Sequence, residues 1–499
     1  MATSTPTTIG NSGNNALFGT SASDTLIGYG GDDYLFGGSD ADSLFGGADD
    51  DSIYGGAGED RIYADTGNDS IEAGADDDKI YGGDGNDFVL AGSGNDVIEG
   101  GNGTGLFWGE AGFDMITGGS DRDTIYGGSD NDLLFGMAGD DALYGDSGDD
   151  SMAGGTGNDL FDGGTGNDTL SGDDGNDSIE GGSNDDLLTG GAGNDTLSGG
   201  AGNDSLEGGL GDSLMYGGAG FDVITGGDAT DRLYGGSDGD TMTGGAGNDL
   251  MLGDSGADLM DGGLGNDSMV GGTEHDTLKG GAGADTLSAG SGNDLLSGGS
   301  EDDAVKGENG NDTLTGDDGR DNLYGGAGFD RMDGGNDNDS LYGGSGVDVM
   351  LGSGGNDRLS GGDQNDQVFG GLGNDIGYGG NHNDVVNGDG GNDLLYGGSG
   401  LDTLDGGTGA DTLNGGDGAD YFVYAKGSGA DTITDFDVLE GDRLQIDDAA
   451  VPGMTVDQIL SIFGSIKAGD LVLDFADGNV LVIENVSKLD GFGQYIDLI

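Results

Sequence analysis

From Gly10 to Val423 one apolar residue recurs every nine positions. The series runs Leu17, Leu26, Leu35, Leu44, Ile53, Ile62 and on to Leu404, Leu413 and Phe422, and only Gly377 breaks it. Each apolar residue sits at position 8 of the frame Gly-Gly-x-Gly-x-Asp-x-U-x, with U apolar, repeated 46 times without insertion or deletion. A strict period of this kind predicts a solenoid, because fixed-length repeats stack on their neighbours into a quasi-one-dimensional fold. The Leu, Ile and Met ladder at position 8 then fills a thin interior.

From Tyr424 the pattern changes: Gly thins out while Val, Ile, Leu and Phe rise. Thr455 to Phe463 predicts a short amphipathic helix, opened by Thr455 and Gln458 as a capping box, with Val456, Ile459, Leu460 and Phe463 on one face. Leu471 to Phe475 and Val480 to Val486 predict a hairpin turning at Asp477-Gly478. Residues 424–499 thus read as a β-rich cap for the open end of the solenoid, 10–423. Residues 1–9 read as a short tail without the basic and apolar regions of a secretory leader. Nowhere does a continuous apolar run approach membrane-spanning length.

Composition sharpens the problem. Gly accounts for 122 of the 499 residues, 97 acidic residues face 13 basic ones, and the formal net charge is −84. Without the repeat frame these values would describe a disordered chain, since so little apolar surface cannot offset the entropy of ordering it. With the frame, they describe a solenoid whose charge must be neutralised. Nucleic acid is excluded as a direct partner by the sign of that charge.

The acidic residues lie in phase. Position 6 is Asp in 43 of 46 copies, the exceptions being Asn15, Gly105 and Ser213. The first part of the series is Asp24, Asp33, Asp42, Asp51, Asp60, Asp69, Asp78, Asp87, Asp96, Asp114, Asp123, Asp132, Asp141, Asp150, Asp159, Asp168, Asp177, Asp186, Asp195 and Asp204. It continues through Asp222, Asp231, Asp240, Asp249, Asp258, Asp267, Asp276, Asp285, Asp294, Asp303, Asp312 and Asp321. The last are Asp330, Asp339, Asp348, Asp357, Asp366, Asp375, Asp384, Asp393, Asp402, Asp411 and Asp420. A carboxylate in a Gly-rich turn suits calcium, a hard cation that takes six to eight oxygens from carboxylates and backbone carbonyls. Glycine lets the backbone adopt positive φ and turn its carbonyls toward an ion. Zinc or copper would want Cys or His, and the chain has no Cys and only His275 and His382, which read as solvated turn residues.

Stretches such as Gly190-Gly-Ala-Gly-Asn-Asp-Thr-Leu-Ser198 and Gly199-Gly-Ala-Gly-Asn-Asp-Ser-Leu-Glu207 resemble RTX (repeats-in-toxin, hemolysin-type) calcium-binding nonapeptides. The resemblance implies an all-β fold, a right-handed parallel β-roll of about 23 coils, two nonads to a coil. The first six residues of each nonad would form a calcium-binding turn and the last three a short strand. Residues 18 apart would then be neighbours, and the turns would line two edges. One calcium ion in each gap between successive position-6 Asp residues gives 22 on one edge. The other edge loses five gaps at Asn15, Gly105 and Ser213, so the total is about 39 ions carrying about +78. That nearly balances the chain, so calcium binding and folding are expected to be one event.

Ala430-Asp-Thr-Ile-Thr-Asp-Phe-Asp437 with Gly441-Asp-Arg-Leu444 resembles the segment that follows the repeats in RTX proteases and toxins. By that resemblance, the terminus Tyr495-Ile-Asp-Leu-Ile499 implies an uncleaved signal for a type I exporter, hence secretion from a Gram-negative cell. The repeats begin at residue 10, and the chain shows neither a His-Glu-x-x-His motif nor a Gly-x-Ser-x-Gly elbow. The expectation is therefore an effectorless protein, not an enzyme.

Position 9 should point outward. One column there holds 12 aromatics, among them Phe18, Phe36, Tyr54, Trp108, Tyr126, Tyr144, Tyr216, Tyr234, Tyr324 and Tyr342, and the opposite column has five. Trp108, Tyr216 and Tyr324 are 108 residues apart, as are Phe113, Phe221 and Phe329, so six coils form a higher-order unit. Such a face either stabilises the strands beneath it or mediates association. Two functions follow: a calcium-dependent surface coat or matrix protein, or a soluble secreted adhesin-like or calcium-sequestering binder.

Overall fold

A computed structural model describes residues 6–476 and 478–499. Contacts divide the chain into two compact units, residues 1–250 and 251–499. Each is built from parallel strands paired 18 residues apart. In the first unit Thr25–Gly30 pairs with Ser43–Ala48, matching Thr25 to Ser43, Leu26 to Leu44 and Ile27 to Phe45. In the second, Asn322–Ala327 pairs with Ser340–Ser345 in the same register. Both units are therefore parallel β-solenoids, as the period and the resemblance to a β-roll imply.

The strands are longer than expected. The resemblance implies a strand of three residues after a turn of six, whereas a typical nonad gives six strand residues, as in Ser52–Ala57 and Ser340–Ser345. Positions 7 to 9 continue into positions 1 to 3 of the next nonad, because positions 2 and 3 also pair with the coil above. Tyr29 matches Gly47 and Gly30 matches Ala48, while position 1 between the two runs is skipped. The strand therefore bends at position 1, and the turn proper is confined to positions 4 to 6.

Position 8 faces inward in both units. Leu26, Leu35, Leu44, Ile53 and Ile62 are fully buried, as are Leu314, Leu323, Met332 and Leu341. At roughly 25 cal/mol per Å² of apolar surface removed from water this ladder is the main hydrophobic contribution to folding. Gly377 leaves no hole in it, since a Cβ there would already lie 3.0 Å from Val386 and 3.2 Å from Leu395. Position 9 alternates outward, as the pleat requires.

The expected helix forms at Val456–Phe463, capped by Thr455 with the reciprocal Gln458 contact. Ile459 is fully buried on its inner face. The hairpin forms between Asp470–Ala476 and Asn479–Ile483, its turn residue Asp477 lying outside the described residues. The second strand stops three residues short of Val486, because Asn485 takes a left-handed φ of 62° that ends the extended run. Two further strands, Gly464–Lys467 and Ile496–Leu498, carry no sequence signal of their own. The latter pairs with Arg443–Ile446, and the Asp497 carboxylate takes both Nε and a terminal nitrogen of Arg443 at 2.5 Å.

Candidate metal centre

Position-6 side chains point into the turns and are buried, each of the 43 Asp residues being at most 3% exposed. Within each unit they form two columns. Along each column the N–H of one Asp donates to Oδ1 of the Asp 18 residues on: Asp24 to Asp42 at 2.7 Å, Asp42 to Asp60 at 2.7 Å, and in the second unit Asp276 to Asp294 at 2.8 Å. The Asp carbonyl in turn accepts from position 7 of the next coil, as Ser43 N–H does at 2.9 Å from Asp24. One oxygen of each carboxylate is thus held by the backbone ladder.

The other oxygen is not. Oδ2 is buried without a hydrogen-bond partner from Asp33 through Asp78, from Asp96 through Asp231 and from Asp276 through Asp420. A buried, half-satisfied carboxylate is costly. Burial pushes Asp78, Asp114 and Asp339 up to about 8, against the pull of the backbone N–H and with the push of neighbouring carboxylates. Columns of such groups call for protons or cations.

Carboxylate and carbonyl oxygens meet at the position-1 glycines. A Cβ built on position-1 Gly136 would lie 2.5 Å from Asp141 Oδ2 and 2.8 Å from the Gly154 carbonyl oxygen. On Gly325 it would lie 2.5 Å from Asp330 Oδ2 and 2.7 Å from the Gly343 carbonyl. In these copies, then, the orphaned carboxylate oxygen and a carbonyl of the next coil converge on the position-1 backbone, packed closely against a residue without a Cβ. Among the described residues no three His, Cys, Asp or Glu side chains converge on one point. A site here must be built from one or two carboxylates plus carbonyls, which is calcium chemistry rather than zinc or copper chemistry. The residues present fit a hard divalent cation.

The three departures from Asp have different surroundings. Asn15 turns its amide onto the Gly13 carbonyl and accepts from Asn11 N–H at 2.6 Å, so it satisfies its own turn. At Gly105 the ring of Phe107 enters the space. Ser213 is buried with its hydroxyl unpartnered. His275 and His382 are exposed in turns, each accepting a backbone N–H through Nδ1, from Asn293 at 2.8 Å and Gln364 at 3.3 Å.

A second ladder escaped the sequence reading. At position 5, Asn or Asp Oδ1 accepts from the position-5 N–H of the following coil: Asn86 from Thr104 at 2.9 Å, Asn158 from Asn176 at 2.9 Å. It runs opposite to the position-6 ladder and mixes neutral Asn acceptors with Asp carboxylates such as Asp50 and Asp140. The frequent Asn at position 5, as in Gly-Asn-Asp, was its signal. Phe113, Phe221 and Phe329 donate to this ladder but offer no acceptor onward.

Also missed were Asp431 and Asp442. Both are buried at 3% exposure, and their Oδ1 atoms accept the N–H of Asp411 at 3.2 Å and Asp420 at 2.9 Å. The pattern Asp-x-U survives in Asp431-Thr-Ile433 and Asp442-Arg-Leu444, but at a spacing of eleven residues instead of nine.

On the outer face the aromatic rings stack on one another. Trp108 and Tyr126 lie 4.2 Å apart, Tyr126 and Tyr144 4.6 Å, Tyr216 and Tyr234 4.9 Å, and in the second unit Tyr324 and Tyr342 5.0 Å. Each of these rings gives at least one face to its neighbour, while Tyr216 and Tyr324 remain exposed.

The family model of the RTX calcium-binding nonapeptide repeat (4 copies) matches the chain in overlapping segments, from 9–44, 36–71 and 63–98 through 342–377, 378–413 and 396–433. Together these segments extend from residue 9 to residue 433. No curated protein matches the chain.

Proposed function

Because the chain belongs to the RTX calcium-binding nonapeptide repeat family, we propose that its position-6 Asp residues and turn carbonyls hold calcium along both edges of the solenoid, and that the loaded protein is a secreted structural component of a cell-surface coat or extracellular matrix. The observation that carries the calcium sites is the unpartnered Oδ2 of successive buried Asp residues, which in copies such as Asp141 and Asp330 lies beside a carbonyl of the next coil. Asp supplies charge, Gly at position 1 supplies room, and the turn supplies carbonyl dipoles. The ion supplies the positive charge that these oxygens otherwise lack. About 39 ions would bring the net charge of −84 close to zero.

Without such neutralisation the columns repel, and a thin apolar ladder opposes them with little area. Export through a type I system as an unfolded chain, at low cytosolic calcium, fits this coupling. Folding would follow outside the cell. No catalysis is assigned.

A second reading rests on the stacking of the aromatic ladder. Rings that satisfy one another stabilise the sheet without needing a partner. On that reading the protein is a soluble secreted binder. Two measurements on one calcium titration from chelator separate these ideas. Far-UV circular dichroism and the emission of Trp108, whose indole nitrogen is buried in the fold, should report β-structure forming with calcium; unchanged spectra would refute calcium-coupled folding. Light scattering should show growth into large assemblies for a coat protein. A folded species that stays monomeric would leave the soluble binder.

A further inference from the structure

The metal columns do not stop at the last regular nonad. Two eleven-residue steps follow Asp420, and the two added residues in each are absorbed in the turns. Thr412 pairs with Thr432 and Leu413 with Ile433, while Tyr421 pairs with Arg443 and Phe422 with Leu444. Carbonyls continue likewise: Thr432 N–H donates to Asp411 O and Arg443 N–H to Asp420 O, both at 2.8 Å, as position 7 does throughout the repeats. Gly429 sits over the Gly409 carbonyl as Gly409 sits over that of Gly391, so the turn geometry is copied as well.

The oxygens left over are the same ones. Asp411 and Asp420 are 1% exposed, and Oδ2 of each has no partner. Asp431 and Asp442 stand above them, each 3% exposed, with Oδ1 engaged by the backbone; Asp442 Oδ2 also accepts Asp437 N–H at 2.7 Å, so the unpartnered oxygens facing the two gaps are those of Asp411 and Asp420. We propose that Asp431 with Asp411, and Asp442 with Asp420, close two further sites for a hard divalent cation, so that the C-terminal segment is itself a calcium-binding element bolted to the repeats by metal. This rests on the calcium reading above and extends it to residues outside the nonapeptide frame. It makes the folding of residues 424–499 dependent on calcium in its own right.

The test uses the full chain and calcium alone. Native mass spectrometry counts ions on the wild type, D431N, D442N and the double variant, and hydrogen exchange follows protection of residues 424–499 across a calcium titration. Each single variant should carry one ion fewer and the double variant two fewer, with cap protection moved several-fold to higher calcium. An amide also relieves the repulsion between stacked carboxylates. A purely structural role therefore predicts an unchanged count and a cap protected at the same or lower calcium, and that outcome overturns the proposal. D497N breaks the Arg443 contact in the cap without touching either column and should keep the full count; if it too sheds ions, the loss follows cap folding rather than ligand removal, and the assignment falls. Absence of bound calcium on the wild type would instead defeat the underlying reading.

Discussion

The ring of Phe107 fills the space that a side chain on Gly105 would need: a Cβ on Gly105 would fall inside contact distance of three ring carbons. The same ring faces Gly100, where an Asp Oδ2 stands in front of the corresponding glycine of regular copies. Gly105 is thus a site closed by an apolar plug, not merely one lacking a ligand.

Gly105→Asp should therefore add no ion and should cost about 1–3 kcal/mol, as overpacking does. Combined with Phe107→Leu, which withdraws the ring, it should add ions. Ser213→Asp alone should succeed, because a Cβ on Gly208 would stand 3.1 Å and 3.2 Å from Ser213 Cβ and Oγ with no ring between. Calcium counts by native mass spectrometry on the three variants check this, and a gain for Gly105→Asp alone would contradict the plug.

Asp330 lies between two gaps of one column, accepting Asp312 N–H at 2.9 Å while its own N–H reaches Asp348. Asp330→Asn keeps the acceptor but loses the charge, so its effect should change sign with calcium. In chelator it should favour the fold slightly; in calcium it should lose ions and raise the calcium midpoint. Asp330→Ala leaves the Asp312 N–H buried and unpaired and should cost about 1–3 kcal/mol in calcium. Thermal melts of both variants, with and without calcium, distinguish charge from hydrogen bonding.

Acid should partly replace calcium. Burial raises Asp42 and Asp402 to about 6 and Asp78 to about 8 from an ordinary 3.8. Groups raised on folding bind more protons folded than unfolded, so their contribution is full below about 4 and is lost as pH rises through about 6 to 8. In chelator, β-structure measured by circular dichroism should grow as pH falls from about 8 to about 5. In calcium, protons compete for the same oxygens, so the calcium midpoint should fall as pH rises over that range. A calcium-free chain indifferent to pH would count against buried carboxylate columns.

The position-5 ladder should hold turns without metal. Asn158→Ala removes the acceptor for Asn176 N–H and the donor to Asp140. The loss should be about 0.5–1.5 kcal/mol for an exposed hydrogen bond, with the ion count unchanged. Urea melts together with ion counting check both parts.

The sequence by itself determined the solenoid, its inward ladder and the phase of its carboxylates, because an uninterrupted nine-residue period makes the copies equivalent; the 18-residue register was what the family resemblance implied. Leu26 could be placed inside and Asp24 in a turn from spacing alone, and the capping box fixed the start of the helix at Val456. Tertiary structure alone decided the rest. Strand length came from positions 2 and 3, where residues such as Gly47 and Ala48 signal no strand but pair with the coil above. Phe107 looked like any other position-8 residue until its ring was seen to reach past its own strand. Asp431 and Asp442 broke the period by two residues, and only the pairing of Thr432 and Arg443 with the last repeats showed that the columns continue. A period reports which residues are equivalent along the chain; which oxygens are left without a partner depends on what the neighbouring coil brings to them.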